Sequence, residues 1–377
     1  MPSEDERFMA RALELARRGC GAVEPNPMVG VVIVRDGNVL GEGWHQRFGG
    51  PHAEVEAIAA ARAAGHDPAG ATMYVTLEPC CHRGKTGPCT AAVREAGIAR
   101  VVAAMQDPDA NVAGKGLAEL RAGGVEVITG VLEGQARRLL AAYVKLRTAG
   151  RPWVICKWAQ SLDGRIATFT GDSKWISGEA SRRRVHELRG VCDGVCVGAG
   201  TVRKDDPLLT NRSGAGRQPA RLVLDADLST PPTCRMLAEG SSPVLVATPA
   251  PAPAQAAEAL IQAGAEIVEL PRAGEGVDLA ALLEELGRRQ WTRLLVEGGA
   301  GVLGGFLRAG LADELMVFIA PTLLGGRAGL GPVDWPDIRT VKEAMALPAP
   351  EIERVGDDVL FHYLLPARTG GMPKGSL

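Results

Sequence analysis

PHAEVEAIAAARAAGHDPAGATMYVTLEPCCHRGKTGPC, residues 51–89, is the stretch on which the reading of this chain turns. His52 and Glu54 open an Ala-rich helical run, HAEVEAIAAARAAG. A β-like run, ATMYVTL, follows and delivers Cys80, and Cys89 closes the loop behind it. His52, Cys80 and Cys89 are three soft ligands that suit zinc and leave a fourth tetrahedral position to water. A cysteine at each end of a short loop lies near a helix N-terminus, where the dipole favours thiolate. Zinc so held lowers the pKa of water toward neutral. Glu54, two residues from the histidine, is free to move protons to a departing amine.

Two plainer readings compete. Cys81 or His82 could close the site as a fourth, structural ligand, or the thiols could be buried without metal. A closed site has no use for Glu54, and this favours the catalytic reading. Zinc nucleobase deaminases carry H-x-E…P-C-x-x-C. Here the second half is P-C-x8-C, a variant of that signature.

At 377 residues the chain is long for one core, so two domains are expected. Net charge is −2 and aromatics are 4%, which argues against a nucleic-acid partner. No apolar run reaches membrane-spanning length. The opening, MPSEDERFMARALELARRG, has no secretory apolar segment and reads as a capped amphipathic helix. Of the eight cysteines three fall within 80–89, which suits metal better than disulfides and implies a reducing, cytoplasmic setting.

Strands alternate with helices in the first half: VGVVIV, the Asp36-Gly37 hairpin, VLGEGWH, TMYVTL, RVVAAMQ and VEVITG, closed by one helix from Leu132 to about Thr148. This implies an α/β layer with a mixed sheet. The boundary is expected at Ala149–Pro152. In the second half RPWVICKWAQ is a strand with Lys157 among apolar residues, costly unless paired or functional. SLDGRIA reads as a turn and a second short strand, and Asp172 and Ser173 as caps of the helix after them. TVRKDDPLLTNR reads as a loop. The strand RLLVE runs into Gly299-Ala300-Gly301-Val302-Leu303-Gly304, a GxGxxG turn able to receive phosphate at a helix N-terminus. The next strand ends in Ala320-Pro321 with no carboxylate for a ribose 2′-hydroxyl, which leaves room for a 2′-phosphate and hence NADP.

PNPMVG, GWHQRFGGPHAE, TLEPCCHRGKTGPC, KWAQSLDGRIA, GDSKWIS, HELR, VGAGTVRKDDPLLTNR, VLDADLSTP, VEGGAGVLGGF and APTLLGG occur in this order. Together they resemble the bifunctional riboflavin-biosynthesis deaminase–reductase family from about residue 4 to 365. The resemblance implies a cytidine-deaminase-like α/β/α zinc domain over 1–148 and a dihydrofolate-reductase-like α/β domain over 149–367. Residues 368–377 lie beyond it and are expected to be disordered.

The implied reactions are zinc-dependent deamination of 2,5-diamino-6-(5-phosphoribosylamino)pyrimidin-4(3H)-one and NADPH-dependent reduction of the deaminated ribosyl group to ribityl. By resemblance His52, Cys80 and Cys89 hold zinc, one ion per chain, and Glu54 shuttles protons. Asn26, His45, His82 and Lys85 line that pocket. Ala159, Trp175, Thr201, Asp205 and the turn Gly299, Ala300, Gly301, Val302, Leu303, Gly304, Gly305 would meet NADPH. Ser173, Arg189, Leu209, Arg212 and Glu297 would meet substrate, the two arginines as partners of the 5′-phosphate. Lys157, Asp205 or water would supply the proton that the opening ring needs. A homo-oligomer, dimer or tetramer, is implied. Cys81 and Gly87 depart from the family pattern. The alternative reading is a zinc nucleoside or nucleobase deaminase with an unrelated nucleotide-binding domain.

Overall fold

Ser3 and Glu6 start the first helix by satisfying each other's backbone. Ser3 Oγ accepts Glu6 N–H at 3.2 Å, and Glu6 Oε2 accepts Ser3 N–H at 2.8 Å. The structure is a computed structural model that describes residues 2–82, 87–240, 242–326 and 330–366. It forms two compact units, Met1–Gly150 and Arg151–Leu377.

In the first unit the elements run α1 (Glu4–Arg17), β1 (Gly30–Arg35), β2 (Asn38–Trp44), α2 (Ala53–Ala63), β3 (Thr72–Val75), α3 (Cys89–Glu95), β4 (Arg100–Ala103), α4 (Lys115–Ala122), β5 (Glu126–Thr129), α5 (Glu133–Leu139) and α6 (Ala141–Ala149). The sheet order is β2-β1-β3-β4-β5, antiparallel around β1 and parallel from β3 to β5. Asp36 and Gly37 both take positive φ in the β1–β2 hairpin, as a two-residue turn of matching twist requires.

Alternation along β1 sorts the core. Val32 and Val34 face α1, α5 and α6, while Val31 and Ile33 face α2, α3 and α4. This gives the three-layer α/β/α arrangement. Helix α2 lies so close on β2 that a Cβ at Gly43 would stand 2.4 Å from Ala57 N and one at Gly41 2.5 Å from Ala57 O. Those glycines let the helix bearing His52 and Glu54 sit against the sheet. The single helix expected from Leu132 to Thr148 is broken at Leu140, where ψ rises to 8°. Nothing local breaks it; Leu140 is 1% exposed in the core, and tertiary packing sets its backbone.

The second unit runs β6 (Trp153–Ser161), α7 (Glu179–Val191), β7 (Gly194–Gly198), α8 (Ala199–Asp205), β8 (Ala220–Leu224), α9 (Arg235–Ala238), β9 (Val244–Pro249), α10 (Ala254–Gln262), β10 (Ala265–Leu270), β11 (Arg272–Ala273), β12 (Gly276–Val277), α11 (Leu279–Arg288), β13 (Arg293–Gly298), α12 (Ala300–Arg308), β14 (Glu314–Ala320), a 3-10 turn (Val341–Glu343), β15 (Glu351–Val355) and β16 (Asp358–Leu364). The large sheet has the order β10-β9-β8-β7-β13-β6-β14-β16-β15. It is parallel except where β16 pairs with β14 and β15. Apolar side chains fill both of its faces, as a parallel sheet requires.

Three local expectations fail here. The SLDGRIA stretch makes its turn but no second strand: Leu162 N–H and Ile166 N–H donate to Thr322 O and Leu330 O instead. Asp172 and Ser173 do not cap α7. Its N-cap is Gly178, whose N–H donates to Asp358 at 2.8 Å, while Asp172 accepts Lys174 N–H. TVRKD is not loop but the body of α8. Among the described residues no helix is long and apolar enough to cross a membrane.

Candidate active sites

His52 is the N-cap of α2, and Glu54 lies in its first turn. Cys80 follows β3, and Cys89 begins α3. The imidazole and both sulfurs gather, with all three ligand atoms within 4.8 Å of one another. His52 Nδ1 is 3.2 Å from Cys89 Sγ and 3.5 Å from Cys80 Sγ. Tetrahedral zinc needs such atoms about 3.5–3.8 Å apart, so the donor set fits the ion. Cys81 and His82 do not join the group. That disfavours a closed four-ligand site and leaves a position open.

The electrostatics suit a cation. Cys89 and His52 beside Cys80 hold its thiol well below the ordinary range, against burial, while Cys89 is pushed up by its bond to Cys80. Glu54 is 3% exposed. Burial, and then the charge of Cys80, push its pKa up to about 7, so it can both hold and release a proton near neutrality.

A cavity of about 260 Å³ opens onto this cluster. Asn26, His45 and His82 line it together with His52, Glu54 and Cys80. His45 Nδ1 donates to Pro51 O at 2.9 Å, so its Nε2 accepts from Asn26 Nδ2 at 3.3 Å. Lys85 lies outside the described residues.

The cavity is also lined by residues that the sequence reading missed: Glu78, Asp107, Asp109, Tyr143 and Arg147. Glu78 is 3% exposed and accepts four backbone N–H groups. Asp107 and Gly114 donate to Oε2, Gly116 and Leu117 to Oε1. It ties the 107–117 loop to the turn that bears Cys80. Tyr143 Oη donates to Asp107 Oδ1 at 3.0 Å. Burial pushes the Asp107 carboxyl up to about 6. The signal available was TLEPC itself, whose Glu had no stated task.

In the second unit the candidates collect at the carboxyl ends of β6, β7 and β13, the place where open α/β sheets bind ligands. A Cβ on Gly299 would stand 3.3 Å from Thr201 Oγ1, so the glycine turn and α8 meet there. Lys174, next to Trp175, donates to Asp205 O at 3.4 Å. Trp175 is 68% exposed with the Arg182 guanidinium 4.7 Å above its ring. Ala159, Ser173, Thr201 and Asp205 are half-buried.

Leu303 and Gly304 are the packed part of the expected cofactor turn. Leu303 is 2% exposed in the core, its N–H donates to Gly299 O, and a Cβ on Gly304 would strike Asp334 O at 2.1 Å. Their places in GxGxxG are packing requirements; Gly299 to Gly301 form the open part of the turn.

Arg189 has a structural task beside its expected one. Its Nε and Nη2 bond Glu297 at 2.6 and 2.8 Å, and Nη1 donates to Thr210 O at 3.0 Å. Three of its five N–H donors are engaged, so this guanidinium ties α7 to β13 and keeps two donors for a ligand. Arg212 is exposed and has no acidic ion-pair partner among the described residues. Leu209 is buried with φ +53°. Lys157 has no ion-pair partner among the described residues; its Nζ lies 5.8 Å from the Phe318 ring centre. Burial lowers its pKa, partly offset by Glu297.

Residues 2–105 match the cytidine and deoxycytidylate deaminase zinc-binding region, and residues 152–361 match the RibD C-terminal domain. The chain is 40% identical over 360 residues to the riboflavin biosynthesis protein RibD of Aquifex aeolicus, covering 95% of this chain and 98% of the relative. It is 40% identical over 374 residues to RibD of Escherichia coli, covering 96% and 99%. Its fold is similar to the crystal structure of a diaminohydroxyphosphoribosylaminopyrimidine deaminase/5-amino-6-(5-phosphoribosylamino)uracil reductase from Thermotoga maritima, with TM-score 0.85, 38% identity and coverage of 96% and 99%. It is likewise similar to RibD of Acinetobacter baumannii, with TM-score 0.86, 36% identity and the same coverage.

Proposed function

The chain belongs to the RibD family of bifunctional riboflavin-biosynthesis enzymes, and from that premise we propose how its own residues perform the two reactions. It is a deaminase in its first unit and a reductase in its second. The deaminase acts on 2,5-diamino-6-(5-phosphoribosylamino)pyrimidin-4(3H)-one, with one zinc ion per chain on His52, Cys80 and Cys89. The observation that carries this reading is the three-ligand group with buried Glu54 beside it.

Zinc supplies the Lewis acidity that makes water nucleophilic near neutral pH. Glu54 would take one proton from the attacking water and return it to the C2 amine, which leaves as ammonia, while the second proton of the water ends on the adjacent ring nitrogen and C2 keeps a carbonyl oxygen. Asn26 and His45 hold the pyrimidine, and the Pro51 carbonyl fixes the His45 tautomer. His45 is buried and its ring is held at both nitrogens, so it needs no reorganisation at the moment of reaction.

The reductase takes hydride from NADPH onto C1′ of 5-amino-6-(5-phosphoribosylamino)uracil as the ribosyl ring opens. Thr201, Asp205, Trp175 and the open turn Gly299–Gly301 receive the cofactor. Glu297 and Lys157 border the ribose, and Arg212 takes the 5′-phosphate. Lys157, whose pKa is lowered by burial, is the group best placed to give the proton that the opening ring oxygen needs. None of the eight cysteines is in a disulfide, in keeping with a reducing, cytoplasmic setting; the same proposal takes the protein as a homo-oligomer, dimer or tetramer.

A coupled assay tests the whole reading by following ammonia and NADPH together. Ammonia released without NADPH, and NADPH consumed only after deamination, supports both assignments and their order. Ammonia without any NADPH oxidation overturns the reductase assignment. Neither product from the zinc-loaded protein overturns the substrate.

A further inference from the structure

His186 and Arg189 lie three residues apart on α7, so both project from one side of the helix. They meet the same short segment, Thr210–Arg212. His186 Nδ1 is 3.2 Å from Arg212 N and 3.1 Å from Thr210 O, and Arg189 Nη1 donates to that carbonyl at 3.0 Å. Thr210 O thus has its donor from Arg189. A neutral imidazole whose Nδ1 accepts Arg212 N–H then leaves both Thr210 O and Arg212 N–H partnered. Burial and the charges of Arg189 and Arg212 push the His186 pKa below its usual value, which keeps the ring neutral.

The segment needs such a tie. Leu209, just before it, is held at φ +53°, a region unfavourable for a residue with a branched side chain. Asn211 is 6% exposed and its side chain is spent on the loop's own backbone, at Ala215 O and Ser213 N. What the loop offers outward is the Arg212 guanidinium.

We propose that His186 is a positioning residue of the reductase site: it pins the backbone at Arg212 and so aims that guanidinium at the phosphate monoester of the substrate. The proposal rests on the reading that Arg212 takes the phosphate. It assigns His186 no contact with the reacting atoms.

The test is steady-state reduction of 5-amino-6-(5-phosphoribosylamino)uracil and of its dephosphorylated counterpart by the full-length protein and by H186L, H186Q, H186N and R212A. Losing one neutral hydrogen bond corresponds to a KM for the phosphorylated substrate about fivefold higher in H186L. The kcat should hold, and so should KM for the dephosphorylated compound. H186Q, whose amide reaches past the Nδ1 position, should behave like H186L. H186N, whose Oδ1 can accept Arg212 N–H, should restore most of the affinity. If R212A loses phosphate discrimination while H186L and H186Q keep it, His186 does not position Arg212. Equal losses on both substrates would mean a general packing role and would also overturn the proposal. R212A with unchanged discrimination would instead overturn the phosphate reading beneath it.

Discussion

Arg189 and Glu297 stand 108 residues apart in sequence and meet in a two-point ion pair, Nε to Oε1 at 2.6 Å and Nη2 to Oε2 at 2.8 Å. Their side chains are only 11% and 9% exposed. The pair joins α7 to the carboxyl end of β13, the two elements that bracket the reductase site.

Breaking this pair from one side strands a buried charge. Glu297→Gln should therefore cost about 3–5 kcal/mol in denaturant unfolding of the second unit. Burial alone would raise the Glu297 carboxyl, but Arg189 pulls it down to about 2 from 4.5. A depressed folded pKa gives stability present in full above about pH 4.5 and lost as pH falls toward 2, about 3 kcal/mol in all. The wild-type and Glu297→Gln unfolding curves should converge over that window. A gap that stays constant down to pH 2 would contradict the assignment.

Tyr143→Phe should loosen the deaminase wall without touching the metal ligands. Removing the Oη donor leaves Asp107 with one fewer partner for its charge, at a cost of about 1–3 kcal/mol at neutral pH. Burial already raises the Asp107 carboxyl to about 6 from 3.8. A raised carboxyl makes stability fall as pH rises from about 4 to 6; losing Tyr143 moves the upper end of that window higher. Carbonyl-resolved NMR titration of Asp107 checks the direction, and an unchanged titration would refute it.

Gly116→Ala should weaken metal binding from a distance. A Cβ there would stand 2.0 Å from Pro79 O, the residue before ligand Cys80. Backbone must shift, at about 1–3 kcal/mol for the overpacking. The expected result is faster zinc loss to a chelator and a lower melting temperature, whereas Gly134→Ala, where a Cβ meets nothing, should change neither.

Glu54→Gln and metal removal should separate the two activities. The substitution should lower deamination at least 10²-fold, with zinc retained on assay of metal content. Chelation should stop ammonia release. In both cases NADPH oxidation with pre-deaminated substrate should continue at its normal rate, because the second unit has its own core. Loss of reduction in the Gln variant would show that the sites depend on each other.

Where chemistry is packed into few residues, the sequence was readable. His52, Glu54, Cys80 and Cys89 announce a zinc centre because the ion demands those atoms at one point, and a strand and two helix starts suffice to deliver them. Many of the strands were legible too, since Val31 to Val34 and the runs around β7 and β13 carry their burial in their own pattern; β15 and β16 were not expected, and β15 is almost wholly exposed.

What the sequence by itself determined is thus the donor set, the α/β class and the family. Tertiary structure alone decided who partners whom. Glu78 looked idle in TLEPC until the 107–117 loop brought it four N–H groups. Asp172 and Ser173 looked like caps, but α7 starts at Gly178, whose N–H is claimed by Asp358, 180 residues on. Arg189 read as a phosphate ligand alone, and only the fold set Glu297 of β13 against it. Each outcome depends on a partner remote in the chain, and local propensity carries no information about distant charges and hydrogen bonds.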